Sequence, residues 1–307
     1  MERDGGAARL FCFGLGYCAR RAIAALGVEA SGATRRAEAA AAWRREGVAA
    51  FAVEAPGDRE GLAAALAEAE TLIVSAPPDD RGDPALAGFA RALDAAPRLK
   101  RVVYLSSVGV YGDRGGAWID ETSAPAPASP RARRRLAAEE QWRAFAASRG
   151  VALEVLRLAG IYGPGRNALV KLAAGEARRI VKPGLALSRI HVDDVAEVAR
   201  RLIEAGGPGG VWNVADEAPA PPQDVIAFAA ALIGVAPPPE ENFAAAALSP
   251  LARSFYADDR RVSVDKLRRE LGYRWLYPTY REGLAALAAA GEGRRATGTL
   301  AGAAERE

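Results

Sequence analysis

The chain contains 307 residues, of which 50% are hydrophobic and 26% are charged, and its formal net charge at pH 7 is +3. This balance is typical of a folded protein with a large core, and it argues against a disordered chain or a strongly basic nucleic-acid binder. The cysteines, Cys12 and Cys18, are too few for a disulfide framework or a zinc site. No apolar run approaches the roughly 18 residues that cross a membrane, and the N-terminal segment lacks the apolar run of a signal peptide. We therefore expect a cytoplasmic protein that binds no metal, membrane or nucleic acid.

Short apolar runs alternate with amphipathic stretches over the first half of the chain. The apolar runs have the length of buried strands, and the stretches between them have the spacing of helices about 10–15 residues long. In chain order, the predicted strands cover residues 9–14, 28–34, 48–54, 71–77, 101–107 and 151–159, and the predicted helices cover residues 17–27, 35–47, 58–70, 84–97 and 131–148.

This alternation predicts an α/β fold in which helices cover both faces of a Rossmann-type, doubly wound parallel sheet. After Gly160 the alternation breaks, because turns rich in Gly and Pro separate shorter elements. We therefore predict a Rossmann domain over residues 8–160 and a smaller mixed substrate lobe over residues 161–290, intertwined with the first. Residues 291–307 are small, polar and aperiodic, which predicts a disordered tail.

A glycine-rich turn follows the first predicted strand and opens the first predicted helix. Its pattern is Gly14-x-Gly16-x-x-Ala19, with Tyr17 and Cys18 at the start of the helix. The first glycine allows a tight turn, the second lets backbone approach a pyrophosphate, and the third small residue allows close helix–strand packing. The free N–H groups of the helix N-terminus then face the anion. These five residues are predicted to bind a dinucleotide; the alternative is a purely structural glycine turn.

The end of the second predicted strand indicates which dinucleotide is bound. An NAD site usually carries an acidic residue there, which holds the ribose 2′-OH. This chain has Thr34, Arg35 and Arg36 instead. Two guanidinium groups suit a 2′-phosphate through charge-assisted hydrogen bonds, so NADP(H) is favoured over NAD(H). The alternative is that the arginines only begin a solvated helix, although a helix N-terminus is the unfavourable end for cations.

Further motifs resemble the short-chain dehydrogenase/reductase superfamily, in its extended and atypical branch of NAD-dependent epimerase/dehydratase-like proteins. The resemblance extends from Leu10 to Leu287. Its segments are YLSSVGVYGD (104–113), WIDE (118–121), RLAGIYGPGR (157–166), SRIHVDDVA (188–196) and WNVADEAP (212–219).

The resemblance implies roles for residues at the carboxyl ends of the strands. Ser107 matches the catalytic Ser/Thr of the family, and the segment that contains Gly160, Ile161 and Tyr162 matches one that passes beside the nicotinamide. The cleft of such folds lies outside the carboxyl ends of the strands. The remaining predicted cofactor contacts at these ends are Ser75, Ala76, Pro77 and Ser106.

The family's catalytic helix carries Tyr-x-x-x-Lys, and this chain lacks the tyrosine. Alignment on LAAEE places Arg131 at the tyrosine position and Arg135 at the lysine position. Arginine is effectively always protonated, so Arg131 cannot transfer a proton near neutral pH. Arg135 can still hold a ribose hydroxyl or phosphate. Tyr111 or Tyr162 could supply the proton instead, although both positions are better explained by packing.

The remaining polar residues have structural interpretations. His191 precedes a predicted helix and is interpreted as a structural hydrogen-bonding residue. The pairs Asp120–Glu121 and Glu139–Glu140 are interpreted as solvent-exposed carboxylates.

The sequence therefore predicts an NADP(H)-dependent oxidoreductase or epimerase/dehydratase-like enzyme with an atypical active site. Its substrate would be a small molecule that reacts at a carbonyl or hydroxyl group, such as a nucleotide sugar or another anionic metabolite. The alternative is a non-catalytic NADP-binding regulatory or interaction protein. A monomer or a homodimer is expected.

Overall fold

A computed structural model describes residues 9–294 of the chain. Most of the predicted disordered tail, residues 295–307, lies outside the described residues, as do residues 1–8. The described part has thirteen strands and eleven α-helices. The strands are β1 (Leu10–Phe13), β2 (Ala30–Thr34), β3 (Ala49–Ala52), β4 (Thr71–Val74), β5 (Arg101–Ser107), β6 (Trp118–Ile119), β7 (Ala152–Leu158), β8 (Gly160–Tyr162), β9 (Arg179–Val181), β10 (Arg189–His191), β11 (Gly209–Val214), β12 (Glu240–Asn242) and β13 (Arg261–Val262). The helices are α1 (Tyr17–Leu26), α2 (Ala37–Arg45), α3 (Arg59–Ala67), α4 (Pro84–Asp94), α5 (Pro130–Arg149), α6 (Ala168–Ala173), α7 (Val192–Ala205), α8 (Pro222–Leu232), α9 (Pro250–Ser254), α10 (Asp265–Leu271) and α11 (Tyr280–Ala289).

The central element is a seven-stranded sheet with the strand order β11-β7-β5-β4-β1-β2-β3. Every neighbouring pair in it is parallel. The chain runs from β1 outward to β3 and then returns to β4 on the other side of β1, so the winding direction reverses between β1 and β4. In open α/β sheets, ligands bind at such a switch point, outside the carboxyl ends of the strands. The predicted doubly wound Rossmann-type sheet is confirmed.

Each face of this sheet carries a hydrophobic core. One core includes apolar residues of α1, α2 and α7, and the other includes those of α3, α4 and α5. Strands covered on both faces are expected to be continuously apolar, and all residues of β1 and β4 are indeed buried. The alternation of apolar runs with amphipathic stretches therefore follows directly from the two-sided covering of the sheet.

The edge strand β11 was not predicted. The sequence pattern assigned residues 161–290 to the second lobe, but Gly209–Val214 pairs with β7 along its whole length. Gly209 has φ +96°, and a Cβ there would lie 2.4 Å from the Leu153 carbonyl oxygen, so the strand can only start this close with glycine. A segment of the predicted substrate lobe thus completes the main sheet, and the division near residue 160 stays a prediction.

The remaining strands form short parallel pairs, β8 with β10, β9 with β12, and β6 from the first half with β13 from the second. A third apolar cluster, contributed by α6, α8, α11 and β8, holds this region together. Between residues 9 and 294, no helix has both the length and the apolar character needed to cross a membrane.

Candidate functional site

The glycine turn after β1 leaves one side open for a ligand. Gly14 has φ +106°, and a Cβ on it would lie 2.6 Å from the Ala76 amide nitrogen, so this position tolerates only glycine. A Cβ on the exposed Gly16 would meet nothing closer than the Gly14 carbonyl oxygen at 3.9 Å. The first glycine is therefore required by the turn itself, and the second keeps open space above the backbone.

Helix α1 begins at this open space without a side-chain cap and without an acidic residue in its first turn. Tyr17, Cys18 and Ala19 form that turn, so their amides are the free donors that an anion could accept from. Burial raises the pKa of the Cys18 thiol to about 11, which makes it an unreactive thiol near neutral pH. The predicted residues Gly14 to Ala19 are thus brought together in one cradle.

The end of β4 forms the floor beneath the glycine turn. The Ser75 hydroxyl donates to the Gly14 carbonyl oxygen at 2.5 Å, and the Ala76 amide donates to the Phe13 carbonyl oxygen at 3.2 Å. Pro77 follows as an exposed residue. Ser75 therefore shapes the turn through its side chain, and Ala76 and Pro77 border the cleft by position.

An open pocket of about 340 Å³ lies at the end of β2 and the start of α2. It is lined by Thr34, Arg35, Arg36, Glu38 and Ala39. Arg36 is the N-cap residue of α2, and no side chain caps that helix, so free amides face the pocket beside the guanidinium groups. The first three residues were predicted from the sequence, whereas Glu38, which lines the same pocket, was not.

Ser107 is half-buried at the carboxyl end of β5. It caps the short 3₁₀ turn that follows, and its Oγ accepts a hydrogen bond from the Gly109 amide at 3.1 Å. A hydroxyl that accepts from backbone keeps its own proton available to donate to a substrate oxygen. The predicted catalytic serine is therefore held in one orientation at the edge of the cleft.

Arg260, which sequence analysis did not single out, reaches the same place from the second half of the chain. A Cβ built on Gly109 would lie 3.2 Å from Ser107 Oγ and 4.0 Å from Arg260 Nη2, so both groups border the space that this glycine leaves free. Arg260 Nη1 donates to the Gly112 carbonyl oxygen at 2.7 Å and to Asp258 at 2.9 Å. Its buried Nε has no partner among the described residues. The only sequence signal for it was the run DDRR before the closing segment.

Helix α5 carries the two arginines that the sequence alignment sets at the family's tyrosine and lysine positions. Arg131 is exposed in the first turn of the helix. Arg135 is half-buried, and its Nη1 donates to the Tyr104 hydroxyl at 2.9 Å and to the Leu105 carbonyl oxygen at 3.0 Å. The arginine at the lysine position therefore points to the end of β5, whereas the arginine at the tyrosine position lies at the surface.

Ser106, predicted to contact the cofactor, belongs instead to a buried charge network. Its hydroxyl donates to Glu139 at 2.5 Å, and Glu139 also accepts from Arg157 at 2.8 and 3.2 Å. Ser106 is 5% exposed and Glu139 is 0% exposed. The expectation that Glu139 is solvated was therefore wrong. Its spacing of three residues before the buried Trp142 was the signal that could have revealed it.

Glu121 also departs from its predicted solvent exposure. It is half-buried and accepts a hydrogen bond from the Asn213 amide at 2.7 Å, which ties the loop after β6 to β11. Burial raises the pKa of this carboxyl group.

The two alternative proton donors are both packed into the protein. Tyr111 is fully buried, and its hydroxyl donates to Asn213 Oδ1 at 2.8 Å. The Tyr162 hydroxyl is 3.4 Å from the Thr279 carbonyl oxygen, against α11, where Gly283 provides the room. Burial raises the pKa of both phenols, so neither is set up to transfer a proton. The packing interpretation is therefore favoured for both.

The segment predicted to pass beside the nicotinamide begins with β8. Gly160 is exposed and Ile161 is half-buried, so these two residues, unlike Tyr162, can face a ligand. His191 lies on the paired strand β10. It caps α7 by accepting the Asp193 amide on Nδ1 at 3.2 Å, which agrees with its structural interpretation. Burial lowers the pKa of His191 to about 4.

The described residues contain no group of three or more His, Cys, Asp or Glu side chains that could hold a metal ion. Cys12 is a free, buried thiol, and Cys18 is also free.

Comparison with known proteins places this geometry in a family. Protein YeeZ of Escherichia coli (strain K12) is 28% identical to this chain over 222 residues, which are 70% of this chain and 74% of that protein. A solved structure of a functionally unknown conserved protein from Silicibacter pomeroyi DSS is 42% identical and has a TM-score of 0.81, covering 93% of this chain and 99% of that one. Residues 16–215 match the NAD dependent epimerase/dehydratase family. The chain belongs to that family, as its motifs predicted.

Proposed function

We propose that this chain is an NADP(H)-dependent oxidoreductase or epimerase/dehydratase-like enzyme. Its substrate is a small anionic molecule, such as a nucleotide sugar, that reacts at a carbonyl or hydroxyl carbon. The family binds NAD(P), and its members act on small molecules. Binding of a nicotinamide dinucleotide and of a small-molecule substrate is therefore expected from membership of the family. The preference for NADP(H) rests on one observation, the arginine-lined pocket at the end of β2.

The residues present fit a dinucleotide at two separate places. The open side of Gly16 and the uncapped first turn of α1 suit a pyrophosphate, because they offer free amides and close backbone approach. Arg35 and Arg36 suit a 2′-phosphate, because their guanidinium groups are exposed and lie in one pocket. The parallel strands β1 and β2 place these sites side by side at the same edge of the sheet.

Glu38 supports the competing assignment to NAD(H). Its carboxylate lines the same pocket and could accept hydrogen bonds from a ribose 2′-OH. The arginines favour the phosphate because two cations and one anion line the pocket, and the ion pair of Arg35 with Glu54 is long, at 3.9 Å, and exposed to solvent. The pocket also lies at the N-terminus of α2, where negative charge is stabilised.

A bound dinucleotide would supply or accept the hydride. In the proposed site, Ser107 donates a hydrogen bond to the reacting oxygen, and Arg260 stabilises the negative charge that develops on it. The proton that completes the product hydroxyl comes from water, since Arg131 stays protonated. Arg135 holds the nicotinamide ribose. Preorganised donors of this kind stabilise a developing oxyanion without transferring a proton themselves.

The rival proposal is a non-catalytic NADP-binding protein, and one observation favours it. The residue at the family's tyrosine position, Arg131, is exposed and cannot act as a general acid. Turnover separates the two proposals, because a sensor binds the dinucleotide without converting a substrate.

The first experiment measures the dissociation constants of NADPH and NADH by fluorescence titration. We expect NADPH to bind at least about tenfold more tightly, because each charge-assisted hydrogen bond contributes about 1.5–3 kcal/mol. The variant Arg35→Gln/Arg36→Gln should lose this preference and keep its affinity for NADH. The variant Glu38→Gln should change the preference for NADPH little. Tighter NADH binding that Glu38→Gln weakens would assign the pocket to NAD(H).

The second experiment follows NADPH absorbance with a panel of aldehydes, ketones, 2-oxo acids and nucleotide-activated sugars. Oxidation of NADPH by any of them supports the enzyme, and Ser107→Ala should then lower kcat. An epimerase or dehydratase regenerates its dinucleotide and oxidises no net NADPH, so the same nucleotide-activated sugars are also analysed by NMR for epimerised or dehydrated products. Tight NADPH binding with neither NADPH oxidation nor such a product across the panel supports the non-catalytic rival.

We also place the protein in the cytoplasm, as a monomer or homodimer. The free thiols Cys12 and Cys18 suit a reducing compartment. Size-exclusion chromatography with light scattering would measure the oligomeric state.

A further inference from the structure

The turn between β8 and α6 is fixed by hydrogen bonds from several directions. Gly163 and Arg166 exchange backbone hydrogen bonds of 3.1 and 3.0 Å, and the Asn167 amide group donates to the Gly163 carbonyl oxygen at 2.9 Å. The Gly165 amide donates to Glu292 at 2.8 Å. These backbone and side-chain bonds restrict the turn, so the direction in which Arg166 leaves the turn is set by the fold.

Tyr17, the first residue of α1, contacts this turn. Its hydroxyl donates to the Pro164 carbonyl oxygen at 3.1 Å, and the Arg166 guanidinium carbon lies 5.8 Å from the centre of its ring. That distance is within the range of a cation–π contact. The charge of Arg166 also opposes the burial that raises the pKa of Cys18, so it acts at the second residue of α1. Arg166 therefore stands over the start of α1.

The Arg166 side chain is exposed and makes no hydrogen bond or ion pair with any residue between 9 and 294. Its neighbours differ: Arg20 pairs with Glu46, and Arg21 pairs with Asp193 at 3.2 Å. A rigid backbone that presents an unpaired cation beside uncapped helix amides is organised for an anion that the protein itself does not supply.

We propose that Arg166 binds the pyrophosphate of the dinucleotide and closes it against the first turn of α1. This rests on the proposed dinucleotide function and adds a residue to it. Arg166 belongs to the loop after β8 and the phosphate cradle to the β1–α1 turn, so the bound dinucleotide is held between two segments far apart in sequence. The contact also explains why Tyr17 follows Gly16: its ring supports the guanidinium, and its hydroxyl fixes the turn.

The test compares two probes that differ in the pyrophosphate. NADPH contains it, and adenosine 2′-monophosphate carries only the 2′-phosphate end. Arg166→Gln should weaken NADPH binding about 10- to 100-fold, as expected for a lost charge-assisted interaction, and should leave adenosine 2′-monophosphate binding unchanged. Calorimetric titration measures both constants. Arg166→Lys should recover part of the affinity because it keeps the charge.

Control variants separate this effect from others. Arg91→Gln removes an exposed arginine from α4 and should leave both affinities unchanged. Arg35→Gln/Arg36→Gln should weaken both probes together. NADPH affinity within twofold of the parent protein in Arg166→Gln would overturn the inference while leaving the proposed function intact, and so would equal weakening of both probes.

A parent protein that binds neither NADPH nor NADH would overturn the proposed function and this inference together. If NADH is the dinucleotide that binds, Arg166→Gln must weaken it by the same factor relative to Arg91→Gln, and an unchanged NADH affinity would overturn the inference.

Discussion

The buried carboxylate of Glu139 offers a sharp test of how α5 is held on the sheet. It is 0% exposed and accepts hydrogen bonds from Ser106, Arg157 and Arg143. The Arg157 side chain is 4% exposed, so Glu139→Gln leaves a guanidinium buried without its counter-charge. Removing one partner of a buried ion pair typically costs about 3–5 kcal/mol.

The expected result is a fall of about 3–5 kcal/mol in the free energy of unfolding, measured by urea denaturation. For a chain of this size, about 2 °C per kcal/mol corresponds to a fall in Tm of roughly 6–10 °C. The matched control is Glu140→Gln, because Glu140 is the exposed neighbour on the same helix and should change stability by less than about 0.5 kcal/mol.

A double variant tests the cause. Glu139→Met/Arg157→Met removes both charges, and replacing a whole buried pair with apolar residues is often nearly neutral. It should therefore regain at least half of the stability lost by Glu139→Gln. Equal losses in Glu139→Gln and Glu140→Gln, or a double variant less stable than the single one, would refute this account of α5.

Further predictions concern pH, the glycine turn and the active site. Burial raises the pKa of Asp216 to about 7, above its value in the unfolded chain. The folded state therefore favours the neutral carboxyl group. The contribution of this group to the free energy of unfolding is fully present below about pH 4 and is lost as the pH rises towards 7. At about 1.4 kcal/mol per pKa unit, the loss of stability over this range is about 4 kcal/mol. Asp216→Asn should therefore flatten the dependence of the urea midpoint on pH between 4 and 8. An unchanged slope in this variant would contradict the prediction. Gly14→Ala should unfold at a lower temperature, because the added Cβ meets the backbone of Ala76. Gly16→Ala should keep the Tm of the parent protein and lose NADPH affinity. Thermal melts and fluorescence titration measure the two effects, and equal losses of Tm would count against the geometry of the turn. Arg260→Gln should lower kcat about 100-fold, as measured by NADPH oxidation, and leave NADPH affinity unchanged. The control Arg261→Gln should match the parent enzyme. Similar rates in the two variants would remove Arg260 from the mechanism.

Local pattern was sufficient to predict the main architecture. Continuous apolar runs such as residues 10–13 are what a two-sided sheet requires, and the spacing between such runs suits crossover helices. The glycine turn was predictable for the same reason, since Gly14 must adopt a conformation that other residues avoid. The position of Arg35 and Arg36 followed from where β2 had to end.

The sequence by itself therefore determined the strand–helix order, the glycine turn and the place of the arginines after β2, because each depends on interactions between near neighbours in the chain. Tertiary structure alone decided three things: which partners hold Glu139, that β11 completes the sheet, and that Arg260 borders the same space as Ser107. The physical reason is that these outcomes depend on partners far away in sequence. Glu139 is buried because Arg157 and Ser106 face it from β7 and β5, and no pattern within α5 encodes those partners.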